Sequence, residues 1–394
     1  MVGKRVAQMT RIPTENLAED MRRAYPELEA VRAAAGAPVY LVGGAVRDLL
    51  LGRGRSANVD LVVEGDAGAL AAQIGGAEVL EHERFATATV RVDGLEVDVA
   101  ATRTETYARP GALPDVTPGG GIEEDLARRD FTVNAMAVPI GGGEVENASA
   151  ATGLIDPTGG ERDLAAGILR VLHPASFFDD PTRALRAARY ASRLGFALEP
   201  ETEELLRATD LGTLSADRRD AELLRLAGEP HAARGFELLA GWGLVELQSH
   251  GAELAARVAE QLGRPPWEGF APTAPTVLRA ALGSTATGGS DGHEQELADA
   301  EPSRPSDAVA LAAEHDPSEL TIARAMGAEW LDRYVGEWRG VELEIGGDDL
   351  IAAGVEEGRA LGRGLAEARR RKLDGEISGR DEELAVALDA AREA

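Results

Sequence analysis

The segment from Val39 to Gly65 constrains this 394-residue chain more than any other. Four apolar residues, Val39-Tyr40-Leu41-Val42, run into Gly43-Gly44, and an amphipathic stretch, Ala45-Val46-Arg47-Asp48-Leu49-Leu50, follows. A second apolar run then opens as Asn58-Val59-Asp60-Leu61-Val62-Val63. The pattern reads as strand, tight turn, helix, strand. Side chains at i and i+2 of a strand share a face, so Asn58 and Asp60 point the same way at the mouth of the second strand. Two oxygen ligands so placed suit a magnesium ion beside a phosphate cradled by the backbone N–H groups of Gly43 and Gly44. An isolated Asn-x-Asp is ordinarily the solvated face of a half-buried strand. The Gly-Gly-x-x-Arg-Asp prelude turns that reading towards a site.

Composition narrows the class. With 44% hydrophobic residues the chain is long enough for two to four compact units. The absence of Cys excludes disulfides, thiolate metal sites and a Cys nucleophile. Charges fall where a signal peptide needs an apolar core, and no run of apolar residues approaches a membrane span, so a cytoplasmic protein without membrane association is expected. A net charge of −27 by itself opposes a nucleic-acid partner, because phosphate binding draws on Lys and Arg. The positive charge is nearly all Arg, with Lys4 and Lys372 the two lysines, and it clusters at 183–193, 218–219 and 369–372. Arg is the better residue for bidentate contacts to phosphates and base edges.

Residues 15–36 read as one surface helix, capped by Thr14 or Asn16, with Leu17, Met21, Tyr25 and Leu28 at helical spacing. Farther on, Asp93-Gly94 between two alternating apolar runs predicts a type I′ hairpin that pairs Val92 with Leu95 and Thr89 with Asp98. Val90, Val92, Leu95, Val97 and Val99 then bury one face, and Asp98 emerges on the other. Residues 107–121, rich in Pro and Gly, read as a loop. Strand signals end after Ile155-Asp156-Pro157, and helix follows. Asp180-Pro181 is a helix start and Gly195 a helix stop. Between them Arg183, Arg186, Arg189 and Arg193 fall within an arc of about 120°, one basic stripe. Residues 282–308 are Gly-, Ser- and acid-rich without periodicity, which reads as a flexible linker. The His315-Asp316 pair is similar to those of metal-dependent phosphohydrolase domains, but the six His are scattered and no second His-Asp constellation supports it.

Taken in order, Gly43-Gly44-Ala45-Val46-Arg47-Asp48, Asn58-Val59-Asp60, Val97-Asp98-Val99, Arg128-Arg129-Asp130-Phe131-Thr132-Val133-Asn134-Ala135, Asp180-Pro181-Thr182-Arg183 and Asp217-Arg218 resemble the motifs of the class II tRNA nucleotidyltransferases. These are the CCA-adding enzymes and their bacterial poly(A) polymerase relatives in the DNA polymerase beta superfamily. The resemblance implies an α+β fold: a nucleotidyltransferase head followed by all-helical neck, body and tail. It divides the chain into an N-terminal helix packing on the head (1–36), the head (37–160), a neck with a base-selecting helix (161–250), a body (251–281), the linker (282–308) and a tail that is a candidate tRNA-binding region (309–394).

The implied activity is template-independent addition of C, A or both to a tRNA 3′ end from CTP and ATP, with pyrophosphate released. Two Mg2+ ions would be held by Asp60, Asp98 and Asn58, the catalytic positions. Gly43, Gly44, Arg47, Asp48, Arg128, Arg129, Asp130 and Asn134 would bind the nucleotide and its phosphates. Asp180 and Arg183 would select the base, since a carboxylate accepts from the exocyclic amine that C and A carry and that G and U replace with a keto oxygen. Arg186, Arg189, Arg369, Arg370, Arg371 and Lys372 are the RNA-binding candidates, and no protein partner is expected. Two positions depart from the family: Asp220 replaces an Arg expected in the segment that Asp217-Arg218 opens, and Asn58 stands where the family carries the first Asp of Asp-x-Asp. An amide brings one neutral oxygen to a cation that prefers anionic ones. Two readings therefore stay open beside a CCA-adding enzyme: a catalytically impaired RNA- or nucleotide-binding paralogue, and a poly(A) polymerase.

Overall fold

A computed structural model describes residues 17–56, 58–74, 78–82, 87–142, 153–284 and 293–392. The chain divides into two compact units, one of residues 1–222 with 241–244 and one of residues 223–240 with 245–394. The expected boundary at 160 therefore lies inside the first unit, and the expected neck is split between the two.

The first unit is built on a mixed sheet. Its strands are β1 (Val39–Val42), β2 (Asn58–Val63), β3 (Glu78–His82), β4 (Thr87–Val92) and β5 (Leu95–Ala101), then β6 (Arg103–Thr106), β7 (Asp115–Pro118) and β8 (Ala137–Gly141). Six of them form the sheet in the order β3-β4-β5-β2-β1-β8, and β6 pairs with β7 apart from it. β2 and β5 run parallel; the other neighbours are antiparallel. β1 is buried along its whole length, as its unbroken apolar sequence requires of a central strand. Tyr40, Val42 and Val62 pack with Ile122, Leu126, Ala135, Ala137 and Ile155 in one cluster.

The Asp93-Gly94 hairpin forms with the expected register, Val92 opposite Leu95 and Thr89 opposite Asp98. Both turn residues have positive φ, 48° and 85°, the geometry of a type I′ turn. Its five apolar residues are buried. The segment read as a loop at 107–121 is partly a strand, because Val116-Thr117 pairs with Thr104-Glu105; two β-branched residues are too short a run to show period. The N-terminal helix is two helices, Leu17–Ala24 and Leu28–Ala34. Pro26 lies in the break, where its missing N–H and ring interrupt the ladder. Leu17, Met21, Tyr25 and Leu28 are all buried, and the cap positions Thr14 and Asn16 lie outside the described residues.

The Thr182–Leu194 helix is buried nearly all round. Its alanines, at 184, 187, 188 and 191, permit close packing there. The expected helical region also contains a two-stranded parallel sheet, Ile168–Leu169 with Ala197–Leu198.

The second unit is helical. Trp267, Leu297, Ala312, Leu320, Ala323, Ala328, Leu331 and Val335 make one core. Ile345, Leu350, Ala368 and Ala387 centre another, around the helices Arg359–Leu373 and Arg380–Arg392. The linker reading is corrected in part. Residues 293–299 form a helix whose Leu297 is in the first of these cores, and Pro305 opens another helix. A single buried leucine among charged residues shows no period, so the sequence pattern does not betray that helix. Residues 285–292 lie outside the described residues. Among the described residues no helix is long and apolar enough to cross a membrane.

Candidate active site

Strand register brings the first pair of carboxylates together. β2 lies between β1 and β5, so that Asp60 is opposite Val42 on one side and Asp98 on the other. The chain turns at Gly43 immediately after Val42. Gly43 has φ +68°, and a Cβ there would stand 3.2 Å from an Arg129 Nη1 and 3.7 Å from an Asp60 Oδ2. Glycine is needed for the backbone conformation and for the close approach of both side chains. Gly43 N–H donates to the Met136 carbonyl at 3.4 Å, so one amide of the expected phosphate cradle is already engaged.

Asp60 and Asp98 present their carboxylates on the exposed face of the sheet. The Asp60 pKa is raised, first by burial among neighbouring atoms and further by the Asp98 charge; Arg129 and Arg186 oppose the rise. Asp98 accepts a hydrogen bond from the Thr89 hydroxyl at 2.7 Å. Asn58 shares this face, but its amide donates to Glu96 Oε1 at 3.1 Å. Glu96 is the register partner of Asn58, as Asp98 is of Asp60. The face therefore carries a four-cornered array with carboxylates at Asp60, Asp98 and Glu96. Glu96 was missed by sequence reasoning. Its signal was the i, i+2 relation to Asp98 that had been used for Asn58 and Asp60.

A closed polar network includes Arg186, one of the cations that act on Asp60. Arg47 donates from Nε and Nη2 to the Asp48 carboxylate and from Nη1 to Asn134 Oδ1 at 2.7 Å, and it is buried. Asn134 in turn donates to Asp130 Oδ1 at 3.1 Å. Asp130 also accepts from the Phe131 N–H and twice from Arg186, at 2.9 and 2.6 Å. Burial alone would raise the Asp130 pKa, yet Arg186 and the other donors hold it at about 2. A carboxylate has about four acceptor sites, and Asp130 uses that number. Asp48, Arg47, Asn134, Asp130 and Arg186, four of them expected at the nucleotide and its phosphates, are thus hydrogen-bonded to one another in a single chain.

The two motif arginines divide. Arg128 is bound to Asp125, Glu105 and the Arg103 carbonyl. Arg129 donates from Nη2 to Asp125 at 3.0 Å, and its buried Nε has no hydrogen-bond partner. Of the two, Arg129 is the cation with donor capacity beside Gly43 and Asp60.

Asp180 caps its helix as expected, accepting on Oδ1 from the Thr182 N–H and hydroxyl. Arg218 adds a third bond to the same oxygen at 2.8 Å and donates to the Gly111 carbonyl. Arg183 is buried, with Nη1 on Ser176 Oγ and Nη2 on the Arg128 carbonyl, both at 2.7 Å. Tyr107 lies in the field of both side chains, and its pKa is pushed up to about 12 by burial and Glu105. Of the basic stripe, Arg183, Arg186 and Arg189 turn inward and Arg193 is exposed. Arg186 meets Asp130, and Arg186 and Arg189 lie 3.8 Å from Glu222 carboxylate oxygens. These two RNA-binding candidates thus face buried acids.

The tail candidates are also paired. Arg370 and Arg371 bridge to Glu367, Lys372 reaches the fully buried Glu383 at 2.6 Å, and Arg369 donates to the Val341 carbonyl at 3.3 Å. Periodicity revealed the cations but not their pairing with Glu367, three and four residues earlier, or with Glu383 on the next helix.

Residues 39–170 match the model of the Poly A polymerase head domain. The chain is 33% identical to the CC-adding tRNA nucleotidyltransferase of Deinococcus radiodurans over 89% of this chain and 89% of that protein. The chain belongs to the tRNA nucleotidyltransferase family. It is also 48% identical to the A-adding tRNA nucleotidyltransferase of Aquifex aeolicus, over 44% of this chain and 21% of that one. Against three A-adding tRNA nucleotidyltransferases the chain spans 21%, 55% and 47% of their lengths. The solved Thermotoga maritima CCA-adding enzyme complexed with tRNA resembles it with a TM-score of 0.71 and 26% identity, over 95% of this chain and 98% of that one. The nucleotidyltransferase head with a helical remainder is thus the family's architecture.

Proposed function

We propose that this chain transfers C or A nucleotides from CTP or ATP to the 3′ end of tRNA. The observation that carries the reading is the register pairing of Asp60 with Asp98 beside the Gly43 turn. The tRNA 3′-hydroxyl oxygen forms a bond to the α-phosphorus, the bond from that phosphorus to its bridging oxygen breaks, pyrophosphate leaves, and the hydroxyl proton passes to solvent.

The residues fit a divalent cation. Asp60 and Asp98 are hard anionic donors side by side, and the raised pKa of Asp60 marks a carboxylate whose charge is costly until a cation offsets it. Mg2+ held by Asp60 and Asp98 would supply charge neutralisation at the phosphates. Glu96, which accepts from Asn58 and pairs with Arg91 at 3.4 Å, places a carboxylate beside the amide that stands in the first Asp position. Arg129 binds the triphosphate with its spare donors. The Asp48–Arg47–Asn134–Asp130–Arg186 network fixes the floor on which Arg129 and Asp60 stand. Asp180 accepts the exocyclic amine of the base on Oδ2, while Arg218 holds Oδ1. Arg183 offers the remaining donors of its guanidinium to the base edge.

Incubation with labelled CTP and ATP, supplied separately to tRNA transcripts lacking three, two or one of the terminal nucleotides, tests the proposal. Incorporation of C on the first two transcripts, of A on the third, or of both supports it and identifies the product. No incorporation on any transcript, with tRNA or nucleotide still bound, establishes the silent-paralogue reading instead. Untemplated runs of A on any RNA end would favour poly(A) synthesis.

A further inference from the structure

A second set of ligating side chains lies in the helical unit, where the motif series assigns nothing. His293 opens the His293–Asp299 helix, His315 precedes the Pro317–Met326 helix, and Glu319 lies in the first turn of the latter. The ligand atoms of all three lie within 4.8 Å of one another. His315 Nδ1 is 3.1 Å from Glu319 Oε2, and His293 Nδ1 is 3.5 Å from Glu319 Oε1. The two rings meet edge to face, with centroids 5.5 Å apart. A tetrahedral ion with bonds of about 2.0–2.1 Å has ligand atoms about 3.3–3.5 Å apart, and the two ring-to-carboxylate distances, each to a different oxygen of Glu319, lie near that separation.

The surrounding charge points the same way. Arg279 bridges Glu294, Asp316 and Glu319. Three carboxylates around one guanidinium leave a surplus of two negative charges, the charge of a divalent cation. Burial would raise the Glu319 pKa, but Arg279, the Asp316 N–H and His315 hold it below the ordinary carboxylate range, so Glu319 is an ionised ligand at neutral pH. Asp316 lies outside this three-residue group: it caps the helix through the Ser318 and Glu319 N–H groups and pairs with Arg279. The His315-Asp316 neighbours are therefore not a His-Asp motif. The relevant partner of His315 is His293, 22 positions earlier and brought back by the fold.

We propose that His293, His315 and Glu319 bind one divalent transition-metal ion of the zinc class, with a water completing the tetrahedron. Two imidazoles and one carboxylate favour zinc or cobalt over magnesium, which prefers an all-oxygen shell. The ion would tie the start of one helix to the start of another and replace the two ring-to-carboxylate contacts. Its role is a brace, separate from the Asp60–Asp98 face.

The test uses the full chain with Asp60→Ala and Asp98→Ala, which removes the two carboxylates that would hold Mg2+ on the sheet face, stripped with chelator and titrated with Co2+. The expected result is one equivalent bound, with the intense visible absorption of tetrahedral cobalt, and displacement of that band by Zn2+. His293→Gln, at a half-exposed ring, and His315→Ala should each weaken binding about 100-fold. Zinc should raise the melting temperature of the parent but not of either His variant. Absence of the band, or the same cobalt affinity in His293→Gln with an unchanged far-ultraviolet circular dichroism spectrum, overturns the proposal.

Discussion

Two polar clusters in the first unit use the same residue types to opposite ends. On the sheet face, Asp60 and Asp98 stand in register, Glu96 beside them is paired with Arg91, and Asp60 is harder to ionise than a free carboxyl. In the second cluster, Asp48 and Asp130 are matched by Arg47 and Arg186, the acceptor sites of Asp130 are all taken, and Asp130 is easier to ionise. The first cluster is unfinished without a cation and the second is complete. Chemistry that must bind and release phosphates belongs to the first, and positioning belongs to the second.

The comparison breaks most sharply at Asp60. Asp60→Ala should lower nucleotide incorporation by ~10³-fold or more, because it removes the charge next to Asp98 and the Gly43 turn. The urea midpoint should hold or rise, since a costly carboxylate is gone. A large loss of stability with modest loss of rate would place Asp60 in the second class instead. Asp130→Asn should do the reverse and cost about 2–4 kcal/mol of stability at pH 7, roughly a 10²-fold shift in the folding equilibrium, because Arg186 loses its buried partner. The sign of its pH dependence is fixed. The folded value of about 2 lies below the ordinary value of about 3.9, so the contribution is complete above about pH 4 and is lost as pH falls through about 2. Urea unfolding of both proteins from pH 7 to pH 3 should show the gap narrowing, and a constant gap would mean that Asp130 acts through shape alone.

These contrasts also explain what was legible in the sequence. Period-two alternation and the Asp93-Gly94 turn specified the register that sets Asp98 on the polar face, because a strand's faces follow from counting alone. The motif series located Arg129 and Asp180. Which partner each arginine takes was not legible. Arg186 meets Asp130 across 56 positions and Arg218 meets Asp180 across 38, pairings that tertiary packing makes and local spacing does not encode. Glu96 was hidden for a different reason: a partly exposed strand acid has meaning only once its parallel neighbour is known to be Asn58.

Asn58 and Glu96 sharpen the comparison at a smaller scale. Asn58→Asp should raise incorporation with Mg2+ by about tenfold, since it restores an anionic oxygen two residues from Asp60. Glu96→Gln should lower it by about tenfold in the native Asn58 background. In the double variant, Glu96→Gln should matter much less, because the carboxylate introduced by Asn58→Asp would then carry the charge that Glu96 supplies. Strict additivity in this cycle would show that Glu96 acts independently of Asn58.

The smallest effect is expected in the second unit. Arg369 is exposed and Arg371 half-exposed, yet each already has an acceptor, the Val341 carbonyl for one and Glu367 for the other. An arginine that must leave a carboxylate to reach a phosphate gains only the difference between the two contacts, and on a chain of net charge −27 the acid stays nearby to compete. Replacing both by Ala should therefore change tRNA affinity by less than about threefold and leave the dependence of log Kd on log salt almost unchanged. A tenfold loss, with the salt slope reduced by one or two ions, would show that these pairs open for RNA. The tail would then resemble the sheet face, with charges kept for a ligand, rather than the closed network around Asp130.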